Sequence, residues 1–358
     1  MAAGVFNIAE NLEQYNVNGW HVLEKLQSKG TTGGNFSIGY VVVNEDGVKG
    51  FLKALDYSRA LRSIDSAQAL QAMTNAYIFE RDLLKKCCDK KLHYVVKLLD
   101  AGHFQLDETQ VPEDLYIVSL AVDYIVLEYA DTSLRTIIDL SQSFDYAWAL
   151  RSLHNIAVGI SELHGIQVAH QDIKPSNILV FKKENSSKLG DMGRSSDLGR
   201  PVKHDELKCA GDCNYSPFEQ LYGEVLEDWK LRRYSCDMFM FGNLIMLYFN
   251  NISVTNAVLN NLPPEQRYTV WGDSYQAVRP FIDNAFAKCV DQFNEGIDSE
   301  LRKELMTMVC QMCNPDVAKR GDLSKAHLYA QQYSLERYIS RLDFLAKKYE
   351  YKFKKVLP

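Results

Sequence analysis

Short runs of β-branched and aromatic residues alternate with turn residues between residues 20 and 55. The apolar runs occupy residues 22–26, 40–43 and 50–55, and the segments between them are 30–35 and 44–47. Gly, Asn, Asp and Thr make up most of both segments. Runs bounded in this way predict strands that follow one another in a meander. Further strands are predicted at 94–99 and 116–129, so the first part of the chain is expected to be β-rich.

Helical spacing of apolar residues marks one stretch of this part and dominates after residue 134. Between residues 66 and 86, Glu80 shares a face with Leu70, Met73, Tyr77 and Leu84. A later stripe predicts a buried amphipathic helix through Leu150, Leu153, Ile156, Ala157, Ile160, Leu163 and His164. Further helices are predicted at 236–249, 280–293 and 301–313. Pro280 is expected at a first helical position, where its missing N–H costs no hydrogen bond.

This order of elements predicts an α+β protein with a small β-rich N-lobe and a larger, mainly helical C-lobe. A chain of 358 residues is long for one core, which favours a single two-lobed unit with short extensions. The predicted limits are 1–19 for an N-terminal extension, 20–130 for the N-lobe, 131–325 for the C-lobe and 326–358 for a C-terminal helical tail.

Composition and charge exclude several classes of protein. Hydrophobic residues make up 46% and charged residues 24% of the chain, which is ordinary for a globular protein. The net charge of −6 gives no reason to expect nucleic acid as a partner. No stretch approaches the roughly 18–20 apolar residues of a transmembrane segment. The first residues lack a secretory pattern, and the eight Cys are scattered, so a cytoplasmic location is expected.

The chemistry-bearing residues are concentrated in residues 168–180 and 190–193. These segments offer two carboxylates and an amide, Asp172, Asp191 and Asn177, with Lys174 between them. Phosphoryl transfer uses one carboxylate to orient the attacking hydroxyl and oxygen ligands to hold Mg²⁺. A cation near the developing negative charge completes the set, and Lys174 supplies one. The pattern therefore indicates phosphoryl transfer.

These segments resemble motifs of the eukaryotic-type protein kinase family. His170-Gln171-Asp172, with Lys174 and Asn177, is similar to the family's catalytic loop, and Asp191-Met192-Gly193 is similar to its metal-binding turn. The resemblance continues in order from about residue 20 to residue 325. The other matching positions are Lys53, Glu80, the hinge 126–130, the activation-segment end 215–219, Asp237, Gly242 and Arg320. By this resemblance, Asp237 and Gly242 would lie on the buried helix that anchors the catalytic loop, and Arg320 would pair with Glu219. The resemblance implies a protein-kinase-like fold.

Roles in catalysis are implied by the resemblance. Asp172 would be the catalytic base and Lys174 would stabilise the transferred phosphoryl group. Lys53, held by Glu80, would position the phosphates of ATP. The residues implied to bind the nucleotide with its metal are Gly33, Gly34, Lys53, Glu128, Ala130, Asn177 and Asp191. Among these, Asn177 and Asp191 are the implied ligands of Mg²⁺. Lys174 two residues after Asp172 resembles the Ser/Thr-directed branch, so protein substrates with Ser or Thr acceptors are expected.

The chain departs from the family pattern at four places. The mildest is Met192, which stands where the metal-binding turn has Phe, since both side chains are bulky and apolar. The glycine loop matches firmly only at Gly34, because Thr32 and Ser37 stand where the family has glycines. Asp212 stands where Ser/Thr kinases usually have Thr. Gln171 replaces the arginine that normally pairs with a phosphate on the activation segment. Our hypothesis is that activity does not require phosphorylation of that segment, although Ser195 and Ser196 lie within it.

Two other features have a structural interpretation that we prefer to a functional one. Cysteines recur as Cys209-x-x-x-Cys213 and Cys310-x-x-Cys313, but they lack the paired-turn spacing of a zinc site. Residues 335–345 have helical apolar spacing and precede Lys347. We expect this helix to pack on the C-lobe, and docking of a partner or a membrane surface on it is the alternative.

Two other functions compete with an active protein kinase. A pseudokinase that serves as a scaffold is favoured by the degenerate glycine loop, Gln171 and Asp212. It is disfavoured because all six residues implied in phosphoryl transfer are present: Lys53, Glu80, Asp172, Lys174, Asn177 and Asp191. A small-molecule phosphotransferase shares the two-lobed architecture, but Lys174, Glu219 and Arg320 together argue against it.

Overall fold

The computed structural model describes residues 5–26, 37–140, 145–293 and 295–354. The chain divides into two compact units, residues 1–131 with 191–193 and residues 132–190 with 194–358. The first unit is built around a β-sheet and the second is mainly helical. The predicted α+β class, with a β-rich N-lobe and a larger helical C-lobe, is therefore confirmed. The exact limits of lobes and extensions stay predictions.

Within its described residues, the first unit contains eight strands and two α-helices. The strands are β1 (Val5–Asn7), β2 (Asn16–Val17), β3 (Trp20–Lys25), β4 (Ser37–Val43), β5 (Lys49–Leu55), β6 (Leu98–Gln105), β7 (Tyr116–Ser119) and β8 (Ala121–Glu128). The helices are α1 (Tyr57–Leu61) and α2 (Ser66–Asp89). Six strands make one antiparallel sheet in the order β2-β3-β4-β5-β8-β6. The meander predicted for residues 20–55 supplies three of them.

Strand β5 lies inside this sheet and carries Lys53. Lys53 is opposite Gly39 of β4 and Ile125 of β8, so both edges of β5 are paired. Leu52 and Ala54 are fully buried on one face of the sheet. Because side chains alternate along a strand, Lys53 extends from the other face.

Residues 5–17 pack into the core of the first unit. β1 lies parallel to β7, and the apolar side chains Ile8 and Leu12 are fully buried. Asn7 is buried as well, and its Nδ2 donates to Asp56 Oδ1 at 2.8 Å. The segment before the main meander therefore contributes to the hydrophobic core that β4, β5 and β8 share.

Helix α2 confirms the helix predicted from residue 66 and runs three residues past the predicted end. Asp65 caps it by accepting a hydrogen bond from the backbone N–H of Gln68 at 3.0 Å. Its buried residues are Met73, Tyr77, Phe79, Glu80, Leu83, Leu84 and Cys87. A charged residue within this apolar face requires a partner, because burying an unpaired charge is costly.

The strand predicted at 94–99 is wrong in its position. β6 begins at Leu98 and continues to Gln105, paired with β8. Val95 and Val96 are buried, but they precede the strand. Their apolar side chains are buried although their backbone is irregular. An apolar run alone does not reveal whether its backbone forms hydrogen bonds with a neighbouring strand.

Eight helices and five short strands make up the described part of the second unit. The helices are α3 (Leu134–Leu140), α4 (Tyr146–Gly165), α5 (Phe218–Leu221), α6 (Trp229–Asn250), α7 (Val254–Asn261), α8 (Tyr275–Asp291), α9 (Ser299–Met312) and α10 (Glu336–Lys354). The strands are β9 (Thr132–Ser133), β10 (Val168–Ala169), β11 (Ile178–Phe181), β12 (Ser186–Leu189) and β13 (Ser196–Asp197). They form two small sheets, β12-β11-β9 and β10-β13.

Helix α6 is the centre of the second unit. All of its residues from 233 to 249 are buried. A helix that is buried on every side lies in the middle of its domain, in contrast to an amphipathic helix at a surface. Asp228 caps its start by accepting a hydrogen bond from Leu231 N at 2.8 Å. Polar residues at its N-terminal end are therefore placed inside the unit.

Helix α10 packs along α4, which confirms the structural interpretation of the C-terminal pattern. Its buried apolar residues are Tyr338, Leu342, Leu345 and Ala346. Arg151 of α4 donates to Asp343 at 2.9 Å and to both carboxylate oxygens of Glu350 at 2.9 and 3.2 Å. The docking alternative for this helix stays a prediction.

Helix α8 corrects the position expected for Pro280. The helix begins at Tyr275 with Ser274 as its cap, so Pro280 lies inside it, in the second turn. Proline has no N–H, so the carbonyl of Gln276 receives no intrahelical hydrogen bond from this position. The prediction failed because it started the helix at Pro280, although Tyr275 and Val278 already belong to the buried apolar stripe of the helix.

No helix in the described part of the chain combines the length and apolarity needed to cross a membrane.

Candidate active site

Three of the sequence-predicted site residues come together in the first unit. Lys53 Nζ of β5 lies 2.9 Å from both carboxylate oxygens of Glu80 on α2. It also lies 3.6 Å from Asp191 Oδ1. The predicted pairing of Lys53 with Glu80 is therefore confirmed, and Asp191 is a second anionic neighbour of the same ammonium group.

Electrostatics in this cluster keep Lys53 charged. Burial by itself lowers the pKa of Lys53, but the carboxylates of Glu80 and Asp191 outweigh it and raise the pKa above its usual value. Two carboxylates thus share the Lys53 ammonium group.

Asp191 adopts an uncommon backbone conformation for a residue with a side chain. Its φ is +54°, in the left-handed region, which costs free energy unless the surroundings fix it. Met192 next to it is fully buried, which suits the bulky apolar residue that the turn is expected to carry. The Asp191 side chain is 30% exposed, so its carboxylate is accessible to a ligand.

A second cluster lies in the second unit, on the loop between β10 and β11. Lys174 Nζ is 2.9 Å from Asp172 Oδ2. Asn177 Nδ2 donates to Asp172 Oδ2 at 3.0 Å and to the Asp172 carbonyl at 2.9 Å. Asp172 and Lys174 expose only 6% and 8% of their side chains. The loop therefore holds a carboxylate, an ammonium and an amide in direct contact.

The amide of Asn177 is oriented by these contacts. Because its nitrogen donates twice to Asp172, its Oδ1 is turned away from that carboxylate and accepts a hydrogen bond from the Ser176 hydroxyl at 3.3 Å. Amide and carboxylate oxygens are the ligands that Mg²⁺ prefers. The donor chemistry of Asn177 and Asp191 therefore fits the predicted metal.

Asp237 of α6 anchors the start of this loop, as the resemblance implied. Its carboxylate accepts hydrogen bonds from the backbone N–H groups of His170 and Gln171, both at 2.8 Å. It also contacts His164 Nε2 at 3.0 Å. Burial tends to raise the pKa of Asp237, but the hydrogen bond and charge of His164 and the Gln171 N–H lower it below the usual value. Asp237 is thus ionised and fully paired.

His170 links the loop to residue 190. Its Nδ1 accepts from the backbone N–H of Asp172 at 3.3 Å, so its Nε2 carries the proton and donates to the Gly190 carbonyl at 3.0 Å. This pairing fixes the tautomer of a fully buried ring.

Asp212 lies against the same loop. Its backbone N–H donates to Asp172 Oδ1 at 2.9 Å, and its carboxylate lies 3.8 Å from Lys174 Nζ. Lys174 therefore lies between two carboxylates and offsets the repulsion expected when Asp replaces Thr. Gly211 makes this approach feasible, because a Cβ there would lie 2.3 Å from the Gln171 carbonyl oxygen.

The end of the activation segment is fixed by a buried ion pair. Arg320 donates to both carboxylate oxygens of Glu219, at 2.8 and 2.9 Å. Arg320 is fully buried, and the two-point geometry suits a guanidinium and a carboxylate. The predicted pairing of these residues is confirmed.

The cysteines form no metal cluster within the described residues. Cys209 Sγ and Cys213 Sγ lie 4.0 Å apart as free thiols. Burial raises the pKa of Cys209 to about 11, so this thiol stays protonated near neutral pH.

The remaining predicted site residues are those implied to bind the nucleotide: Glu128, Ala130, Gly33 and Gly34. Glu128 ends β8, and its N–H donates to the Lys97 carbonyl at 3.0 Å. Ala130 follows it in an irregular, half-buried segment. Gly33 and Gly34 lie outside the described residues. The nucleotide-binding roles of these four residues stay predictions.

Two residues of the site were missed in the sequence analysis. Arg233 is buried one helical turn before Asp237 and donates to Gln171 Oε1 at 3.1 Å. It also pairs with Asp205 at 3.1 Å. Arg233 lies four residues before Asp237 on one helix, so both side chains are near the start of the loop, and this spacing could have indicated the contact with Gln171. Asp205 gave none, because an acidic residue in a loop is usually solvated.

Comparisons with known proteins agree with this geometry. A family model of the protein kinase domain matches residues 48–334. Probable serine/threonine-protein kinase gdt8 of Dictyostelium discoideum is 32% identical over 145 residues, 39% of this chain and 10% of the relative. Serine/threonine-protein kinase SBK1 of Danio rerio is 37% identical over 98 residues, 27% of this chain and 24% of the relative. The aligned regions thus cover only a small share of both relatives.

The family model extends over most of the chain and includes both clusters, from Lys53 to Arg320. The relatives share the same kind of domain by name. The chain belongs to the protein kinase family.

Proposed function

We propose that this chain is an active Ser/Thr protein kinase that transfers the γ-phosphoryl group of Mg-ATP to protein hydroxyls. One observation carries the proposal: every ionisable residue that the reaction needs is present and is held by direct contacts in its own unit. Lys53 is paired with Glu80 and Asp191, and Asp172 is paired with Lys174 and Asn177. A scaffold without catalysis has no need of both clusters.

Asp172 is the proposed catalytic base. Its Oδ1 accepts from the Asp212 N–H and its Oδ2 from Asn177 and Lys174. These contacts fix the direction of the carboxylate, which suits a group that orients a hydroxyl and accepts its proton. Lys174 carries positive charge beside it and would stabilise the charge of the transferred phosphoryl group.

ATP and Mg²⁺ are the proposed cofactors. Lys53, fixed by Glu80, would bind the α- and β-phosphates, while Asn177 Oδ1 and the Asp191 carboxylate would hold the metal. Bound Mg²⁺ neutralises phosphate charge and orients the group to be transferred. The backbone of Glu128 and Ala130 is the proposed adenine contact, with Gly33 and Gly34 in the loop over the phosphates. A cytoplasmic location follows as an expectation from the free cysteines.

Selectivity for Ser and Thr is proposed on two grounds. Lys174 stands two residues after Asp172, the pattern of the Ser/Thr-directed branch, and its contact with Asp172 supports that role. Both relatives named above are serine/threonine kinases by title. The bidentate Glu219–Arg320 pair also favours a protein kinase over a small-molecule phosphotransferase.

A pseudokinase is the second candidate, and Asp212 is the observation that favours it. This carboxylate lies within 3.8 Å of Lys174 and competes with phosphate for its charge. The competing contact is longer than the 2.9 Å contact of Lys174 with Asp172, so the lysine remains primarily associated with the proposed base.

Transfer of radiolabelled phosphate from γ-labelled ATP to generic Ser/Thr acceptor proteins tests the proposal. We expect phosphoserine or phosphothreonine with the wild type in the presence of Mg²⁺, and no product with Lys53→Met. Label on small alcohols alone would indicate the small-molecule phosphotransferase. Nucleotide binding without transfer to any acceptor would favour the pseudokinase.

A further inference from the structure

A buried ion pair holds the segment from 194 to 208 against helix α6. Arg233 is 2% exposed, and one of its terminal nitrogens donates to Asp205 Oδ1 at 3.1 Å and to the Asp205 carbonyl at 2.8 Å. A guanidinium stays protonated at any physiological pH. Once buried, it requires an anionic acceptor, and Asp205 supplies one.

The Asp205 carboxylate also joins two parts of this segment to each other. It accepts hydrogen bonds from the Ser196 hydroxyl and from the Val202 N–H, the latter at 3.0 Å. Ser196 belongs to β13, which pairs with β10 directly before the catalytic loop, and it accepts from Trp229 Nε1 at 3.0 Å. One side chain therefore fixes the strand, the following turn and helix α6.

Arg233 transmits this arrangement to the residue before the proposed base. Its other terminal nitrogen donates to Gln171 Oε1 at 3.1 Å, and Gln171 Nε2 donates to the Arg233 carbonyl and to Asp237 Oδ1, both at 2.9 Å. Gln171 is almost fully buried and has a φ of +63°. A left-handed conformation persists at such a residue only when its surroundings fix it.

We propose that Asp205 is a positioning residue, which acts through Arg233 and Gln171 to hold Asp172 and the 194–208 segment in the competent arrangement. This inference rests on the proposed kinase function. The carboxylate is a permanent part of the chain, so the arrangement needs no added phosphate. The neutral amide at position 171 fits because Arg233 provides the cation.

The location of the serines in this segment supports the same inference. Ser195 and Ser196 are fully buried, and Ser196 donates its hydroxyl to Asp205. A phosphate on Ser196 would place a second anion against that carboxylate, where like charges repel. Phosphorylation would therefore disrupt this contact instead of creating it.

The test combines phosphatase treatment with variants of the pair. Treating the wild type with a broad-specificity protein phosphatase is expected to leave kcat unchanged. Asp205→Asn should lower kcat about tenfold to a hundredfold, as loss of a charge-assisted hydrogen bond does. KM for ATP should change by less than about twofold, because the substitution alters none of the residues proposed to bind ATP.

Matched variants separate positioning from a general loss of structure. Asp205→Glu keeps the charge and should recover most of kcat. Adding Arg233→Met to Asp205→Asn should cost less than the product of the two single effects, because the residues act as a pair. Glu304→Gln is the control, because it also replaces a paired carboxylate with an amide, in the Glu304–Arg341 ion pair between α9 and α10. It should leave kcat as in the wild type.

Wild-type turnover by Asp205→Asn, or loss of activity after phosphatase treatment, would overturn the inference. If the wild type itself is inert, the proposed function fails. Amide hydrogen exchange then tests the positioning role of Asp205 independently of activity. Amides of residues 196–207 should exchange faster in Asp205→Asn than in the wild type, by more than any general change seen in the amides of α9 and α10. Equal exchange rates in the two proteins would refute positioning by Asp205.

Discussion

At the residue scale, Asp172 is surrounded by partners from two segments of the second unit. Asn177 and Lys174 come from its own loop, and the Asp212 N–H comes from a segment 40 residues away. Each contact restricts the rotation of the carboxylate. The position of Asp212 depends in turn on Gly211, which allows the two backbones to approach.

Replacing Gly211 with Ala tests this approach. The new Cβ would lie 2.3 Å from the Gln171 carbonyl oxygen and 2.9 Å from Asp172 Oδ1, so the 211–212 backbone has to move. Loss of the Asp212 hydrogen bond to a charged group should lower turnover about tenfold to a hundredfold. Steady-state phosphotransfer measures it.

Gly165→Ala is the matched control, because a Cβ at the end of α4 would meet no atom within 4 Å. Its turnover should equal that of the wild type. If Gly211→Ala also turned over within about twofold of the wild type, the contact would not restrain the proposed base.

At the element scale, the sequence predicted the type of element better than its limits. The stripe on α4 and the face of α2 that carries Glu80 were correctly predicted, because a buried face imposes its period on the sequence. The strand expected at 94–99 and the role of Pro280 were wrong. Pairing between strands and the residue at which a helix begins depend on neighbours distant in sequence. A local apolar pattern does not reveal those neighbours.

The site residues likewise divide into those that the sequence revealed and those that it did not. Motif spacing brought Lys53, Glu80, Asp172, Lys174 and Asn177 to attention, and the structure shows their contacts. Asp205 and Arg233 were missed because their pairing joins a loop to a helix 28 residues later. Nothing in either local sequence marks such a pair.

Packing of α10 on α4 can be tested at Leu342. This side chain is fully buried on the helix face that carries Tyr338 and Leu345. Leu342→Ala should lower the free energy of unfolding by about 2–5 kcal/mol, since it removes apolar contacts and leaves a cavity. Urea unfolding followed by circular dichroism measures the change.

Phe344→Ala provides the comparison, because Phe344 is 52% exposed on the same helix. It should change the free energy of unfolding by less than about 1 kcal/mol. Equal losses for both variants would mean that α10 does not pack through the Leu342 face.

At the scale of the whole molecule, stability depends on a few buried charges in the second unit. Asp237 fastens the catalytic loop to α6, and Arg320 fastens Glu219 at the end of the activation segment. Breaking such a pair from one side leaves an unpaired buried charge or an unsatisfied donor. The same residues that position the site therefore also support the fold.

Asp237 predicts how this stability depends on pH. Its pKa is lowered in the folded protein, so its contribution is fully present above the unfolded pKa of about 4 and is lost as pH falls through the folded value. Asp237→Asn should cost about 3–5 kcal/mol at neutral pH. The variant should also show a smaller loss of stability on acidification, measured by denaturant unfolding at several pH values. An unchanged pH dependence would contradict the account.

The most direct test of the central claim compares phosphotransfer by the wild type and Asp172→Asn, with nucleotide binding measured on both. We predict Ser/Thr phosphorylation by the wild type and a rate at least about a hundredfold lower for the variant, as loss of a general base does. Mg-ATP binding should be retained by both proteins. Equal rates, or an inert wild type that still binds Mg-ATP, would contradict the assignment of this chain as an active kinase.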